Sequence, residues 1–195
     1  MHPRLDGSVT EWHPIPAINH LTLLNMRHWI KFIIGWFICL GFRFLPFRPP
    51  NFEMNLATQM PFAKSFGPLA GALFGALSMF FFDAATGRLG QWTVLTAVSY
   101  GLIGAVAPYA LRKMDYLSFA VIGTIAYDAM TGLTMGPLMF HQPFMVALVG
   151  QIPFTAMHLL GNVMFALVLS PIIEKWVAKN PKLEFGMVKQ AEVRS

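Results

Sequence analysis

Six apolar runs, most of them nearly free of charge, constrain this chain more than any motif does. Between Trp29 and Trp176 the Lys, Arg, Asp and Glu residues fall mostly in the short segments that separate the runs. A helix needs about 20 mostly apolar residues to cross a bilayer. An open sheet cannot cross one, because its unpaired backbone groups find no partner in hydrocarbon. Over its 195 residues the chain is 55% hydrophobic and 12% charged, where a soluble domain carries about 25% charged residues. The chain therefore reads as an all-α membrane protein.

The runs predict six helices. Helix 1 is expected over 29–47, stopped by Pro49 and Pro50. Helix 2 is expected over 52–65, with Asn51 as its N-cap. Asn55, Thr58 and Gln59 make helix 2 polar. It covers only about 20 Å, so it should be shielded by its neighbours, with the preceding loop dipping inward. Helices 3, 4 and 5 are expected over 66–84, 90–112 and 115–133. The last run, 143–177, carries Pro153. A short helical piece is expected to about Gly150, then helix 6 from Gln151 to Trp176. The domain plan is a tail over 1–28, a six-helix transmembrane domain over 29–177 and a second tail over 178–195. The first tail lacks the compact apolar core and cleavage site of a secretory signal. Its stretch "INHLTLLNMRHW" is expected to lie along the membrane surface.

The formal net charge of +5 has its explanation in topology rather than in nucleic acid. If six helices span and the N-terminus is cytoplasmic, Arg4, Arg27, Lys31, Lys64, Arg112, Lys113, Lys175, Lys179, Lys182, Lys189 and Arg194 lie inside. Only Arg43, Arg48 and Arg88 of the 14 Lys and Arg residues lie outside. The positive-inside rule then places both termini in the cytoplasm, with the chain a multi-pass protein of the cell membrane. Cys39 is the single cysteine, so no internal disulfide and no cysteine-based zinc site can form.

Two short stretches repeat. "DAATG" occupies 83–87 and "DAMTG" occupies 128–132, each after an apolar run. In this topology both end helices on the outer side at similar depth. Thr-Gly suits a helix end, because Gly accepts the left-handed conformation found there. An acid gains nothing at that end, which opposes the helix dipole, and it is costly near hydrocarbon. Asp83 and Asp128 therefore either fix their local loops or contact a ligand, Asp128 being the better ligand contact. Gln151, Thr155, His158 and Asn162 follow at spacings of four, three and four, which is one helical face. Such a stripe must face protein or water. It serves either helix packing or a polar cavity open to the outside. Trp92 is a stacking platform for a flat ligand or an interfacial belt residue. Arg48 and Arg88 can clamp an anion or face water. Arg43, Glu53, Gln91, His141 and Gln142 complete the outer polar set. In "GPLAGALFG", Gly67, Gly71 and Gly75 lie four apart on one face, either for close packing within the chain or for docking a second membrane subunit.

No P-loop, H-E-x-x-H, G-x-S-x-G or C-x-x-C motif occurs, and no cofactor or metal set is implied. His2 in "MHPRLDG" is the kind of residue a metal-capturing N-terminus carries, but it lies on the side opposite the polar cavity.

The run "PPNFEMNLATQMPFAKSFGPLAGALFGALSMFFFDAATGRLGQWTVLTAVSYGLIG" resembles the substrate-binding S components of energy-coupling factor (ECF) vitamin transporters. The later "GQIPFTAMHLLGNVMFALVLSP" resembles their last helix. The resemblance spans Phe32 to Trp176. Its most specific part is "FGPLAGALFGALSM" followed by an acid and Trp92-Thr93. It implies a six-helix bundle and no enzymatic activity. It implies an outer pocket built from the loop after helix 1, the helix 3–4 loop and the outer halves of helices 4 to 6. It also implies a membrane coupling subunit and two ATPases as partners. The family often carries an Ala-x-x-x-Ala docking surface on helix 1. Here that helix offers only Gly35 and Cys39 at that spacing, which shifts docking towards Gly67, Gly71 and Gly75.

The resulting expectation is a membrane subunit that captures a vitamin or related micronutrient, with Asp128, Trp92, Gln151, Thr155, His158, Arg48, Asp83, Asn162 and His141 as candidate contacts. Its rivals are a membrane scaffold of similar fold, in which the stripe serves only packing, and a membrane enzyme using Asp83, Asp128 and His158.

Overall fold

A computed structural model describes residues 28–184. Among them the chain is all-helical: α1 (Trp29–Arg43), α2 (Asn55–Phe66), α3 (Pro68–Ala85), α4 (Gln91–Ala110), α5 (Tyr116–Phe140) and α6 (Phe144–Ile173). A π turn over Glu174–Ala178 and a short 3-10 turn over Pro181–Leu183 follow. Four segments are long and apolar enough to cross a membrane: Pro68–Ala85, Gln91–Ala110, Tyr116–Phe140 and Phe144–Ala178. The surface-lying stretch expected before Trp29 falls almost wholly outside the described residues, as does the tail after Glu184.

The least apolar helix sits at the centre. Every residue of α2 from Asn55 to Ala63 is buried, and α2 packs against all five other helices. The Gln59 amide and the Thr58 hydroxyl find acceptors there. The Gln59 Nε2 amide donates to the Gly71 and Tyr100 carbonyls at 2.8 Å each. The Thr58 hydroxyl donates back to the Met54 carbonyl at 3.1 Å. At twelve residues α2 spans about 18 Å, as a shielded element can. Leu56 and Met60 join a core with Tyr100, Ile103, Phe119 and Tyr127 from α4 and α5. Phe62 joins a second core with Phe74 of α3, Ile173 and Val177, with Phe32 and Trp36 of α1 against it.

The glycine stripe of α3 belongs to this interior. A side chain at Gly71 would strike Gly104 on α4, and one at Gly75 would strike Gln59 and the Tyr100 carbonyl. Gly35 faces the Phe62 and Phe74 rings. Small residues let the backbones approach this closely. The expectation that Gly35, Gly71 and Gly75 present a docking surface is therefore corrected: the chain's own helices occupy that space. Gly67 is the joint between α2 and α3, at φ 91°, with Pro68 opening α3.

Several helix limits differ from the sequence expectation. α1 ends at Arg43 rather than Phe47, and turning there brings Arg43 within 3.3 Å of Glu53. Asn51 is not the N-cap of α2. It has a left-handed φ of 62° within the loop, and Met54 occupies the cap position. α5 runs well past 133, to Phe140. Gly132 and Gly136 stay helical, with the Gln151 and Gln142 side chains in the space beside them. α6 is one helix through Pro153, although proline removes a backbone bond; membrane helices tolerate such breaks among neighbours.

The end of the bundle away from Arg43 is closed by charge. Lys31 Nζ donates to the Ala178 carbonyl and to Glu184, both at 3.1 Å. Glu174 meets Lys64 at 3.2 Å, Lys179 at 2.5 Å and the Tyr116 hydroxyl at 2.7 Å. Asp115 caps α5 by accepting from the Ser118 N–H at 2.7 Å, and that bond holds its carboxyl below the usual range.

Candidate functional site

At the opposite end, where α1 and α3 finish and α4 starts, lies a cavity of about 130 Å³. Several parts of the chain line it. Arg43 ends α1, and Asn51 and Glu53 come from the loop after it. Met79 and Asp83 come from the last turns of α3, and Trp92 and Thr96 from the first turns of α4. Tyr127 of α5 and Phe154 and His158 of α6 complete the wall.

One side of the cavity is charged. Arg43 Nη2 lies 3.3 Å from Glu53 Oε1, and its guanidinium sits 4.1 Å over the Phe82 ring. Arg48 stands behind, 4.0 Å from the same carboxylate, and donates to the Phe52 carbonyl at 3.1 Å. Burial pushes the Glu53 carboxyl up, but the guanidinium charges beside it, Arg43 above all, outweigh that and leave it below its ordinary range.

Asp83 is buried at the end of α3 and accepts from the Thr93 hydroxyl at 2.6 Å. The same hydroxyl accepts from the Gly90 N–H at 3.2 Å. Asp83 thus ties the α3–α4 turn to α4 through Thr93.

The other side is aromatic. The Tyr127 ring lies edge-on to His158 at 5.4 Å between centroids, and Phe154 does so at 5.9 Å. The Tyr100 ring packs on Tyr127 at 4.1 Å. His158 Nδ1 is 2.7 Å from Asp128 Oδ1, and Nε2 is 3.3 Å from the Tyr100 hydroxyl.

The structure divides the candidate residues among several places. Asp83, Trp92 and His158 line one cavity. Asp128 lies behind His158, is not among the residues lining that cavity, and borders a separate groove between α5 and α6 instead. Nor is it at a helix end, since α5 continues to Phe140. Gln151 and Thr155 border the same apolar groove, of about 360 Å³, walled by Ile125, Leu133, Leu148, Ile152 and Leu159. Asn162 is fully buried one turn below His158. Arg48 reaches the site only through Glu53. His141 is exposed at the left-handed end of α5, away from the cavity. The strip of α6 that faces the cavity is Phe154 and His158, four apart. Of the polar stripe only His158 lines this cavity, and Phe154 beside it was not part of the stripe.

Sequence reasoning named no role for Tyr100, Tyr127, Phe154 or Met79. One signal was present: Tyr127 immediately precedes Asp128, placing a polar-tipped ring beside the acid. Among the described residues no group of three or more His, Cys, Asp or Glu side chains stands ready for a metal ion.

A buried polar and aromatic cavity at one end of an apolar helix bundle is a place where a membrane subunit can hold a small ligand. The family model described as "ECF-type riboflavin transporter, S component" matches residues 30–189, most of the chain, and the protein belongs to that family. It is accordingly a substrate-binding subunit of a transporter and not an enzyme. No curated protein and no solved structure matches the chain.

Proposed function

We propose that this chain captures riboflavin, or a vitamin of similar flatness, from outside the cell. It then delivers the ligand through a separate membrane coupling subunit driven by two ATPases. The observation that carries this reading is the cavity between the α1–α2 loop, the α3–α4 turn and the faces of α5 and α6. Trp92, Tyr127 and Phe154 offer apolar ring surface to a flat heterocycle. Arg43 and Thr96 offer donors, and Glu53 and Asp83 offer acceptors. Ligand sites usually measure about 300–1,000 Å³, so a three-ring ligand enters only when the loop holding Glu53 moves outward. Family membership supports the coupled import.

In this reading all six helices belong to the membrane domain, with both termini in the cytoplasm of a prokaryotic cell. Eleven of the 14 Lys and Arg residues then lie inside, as the positive-inside rule asks.

Two measurements test the proposal. Detergent-purified protein should quench riboflavin fluorescence saturably and should carry a small heterocycle detectable by mass spectrometry. If it retains no heterocycle and leaves riboflavin fluorescence unchanged, the capture reading fails. A reporter active only in the cytoplasm, fused after Ser195, should give signal. Silence from a well-expressed fusion rejects the topology.

A further inference from the structure

His158 is held on every side. Its side chain is 2% exposed, its ring is flanked edge-on by Tyr127 and Phe154, and each ring nitrogen has one neighbour. Nδ1 faces Asp128 Oδ1 at 2.7 Å, and Nε2 faces the Tyr100 hydroxyl at 3.3 Å. An ionised carboxylate only accepts hydrogen bonds, so the nitrogen facing it carries the proton. In the neutral ring the other nitrogen then bears the lone pair. The Tyr100 hydroxyl donates to that lone pair at 3.3 Å, beyond the range of about 2.5–3.0 Å usual for hydroxyl donors to oxygen. Nε2 is therefore weakly engaged, and His158 is one of the residues lining the cavity.

We infer that Asp128 is a positioning residue that acts through His158: it holds the Nδ1–H tautomer and so presents Nε2 as an acceptor for an N–H or O–H donor on the captured ligand. The inference rests on the proposal that the cavity takes a ligand. It adds a polarity requirement, since a ligand with a donor at that point is favoured over one offering only an acceptor.

The first test needs no ligand. The 15N spectrum of histidine-labelled protein at neutral pH, with His158 assigned by its loss in His158→Phe, should show the Nδ1–H tautomer in the parent. Asp128→Asn should keep that tautomer, because an amide oxygen still accepts. Asp128→Leu should move the proton to Nε2. Riboflavin titrations supply the second test. Asp128→Leu and His158→Phe should each weaken binding by about tenfold or more. The double variant should bind no worse than His158→Phe, and Asp128→Asn should stay within about threefold of the parent. An Nε2–H tautomer in the parent, or additive losses in the double variant, overturns the inference. If Asp128→Leu does not fold, the parent and Asp128→Asn spectra decide it. If the parent binds no riboflavin, the capture proposal fails, while the tautomer result still rules on Asp128.

Discussion

The stretches 83–87 and 128–132 share Asp, Ala, Thr and Gly at matching positions, yet one ends a helix and the other lies inside one. In both, the Thr hydroxyl donates back four residues at 2.9 Å, Thr86 to Phe82 and Thr131 to Tyr127. The local chemistry is therefore the same up to that point. They part at the glycine. Gly87 takes φ 69°, and the Arg88 N–H closes the turn on the Asp83 carbonyl at 2.8 Å. Gly132 stays helical, with the Gln151 side chain lying where its own would be. The apolar "LTMGPLMF" that follows has a neighbouring helix, α6, to pack on; the "RLG" after Gly87 is exposed. The two acids part in the same way. Asp83 bonds a residue ten positions on and secures a turn; Asp128 bonds one thirty positions on and sets the orientation of a ring. An identical motif thus acquires its role from whatever the rest of the chain brings beside it.

The largest difference should appear on removing the acids. Asp128→Ala leaves the buried Nδ1–H of His158 without its carboxylate acceptor, a change that typically costs about 3 kcal/mol. Thermal unfolding of the purified variant should show that loss together with weaker riboflavin binding. Equal, small losses in Asp128→Ala and Asp83→Ala would erase the contrast between the motifs.

Asp83→Ala should cost less, about 2 kcal/mol, because the Thr93 hydroxyl loses its carboxylate but keeps the Arg88 carbonyl at 3.4 Å. Riboflavin affinity should change little, and protease sensitivity should rise within 86–90. A tenfold affinity loss with an intact turn would instead make Asp83 a direct ligand contact.

The smallest effects lie at the glycines. Gly87→Ala meets open space but keeps a left-handed φ, which costs about 1–2 kcal/mol. Gly132→Ala has no such backbone strain and collides with Gln151. Its loss, about 1 kcal/mol at the low end for added volume because the atoms struck are the far end of a flexible side chain, should be recovered by adding Gln151→Ala, whereas the Gly87→Ala loss should not. Recovery of both, seen in melting temperatures, would put one physical cause behind the two glycines.

Hydropathy is a property of each residue, and for that reason the order of the amino acids alone determined the membrane character of this chain. The six helical elements, the buried and polar second helix, and the resemblance carried by "FGPLAGALFGALSM" were likewise legible there. Periodicity also assigned Gln151, Thr155, His158 and Asn162 to one helical face. It could not say what stands opposite. α6 meets α5 in one direction and the loop after α1 in another, so that one face serves a cavity, a separate groove and a buried layer. The length of α5, the internal use of Gly71 and Gly75, and the pairing of Asp128 with His158 all depend on partners distant in the chain, on a different helix. Local preference is too weak to decide such positions, because a glycine that ends one helix at Gly87 fits equally well inside another at Gly132. Only the packed bundle, by filling the space beside each residue, chose between the two.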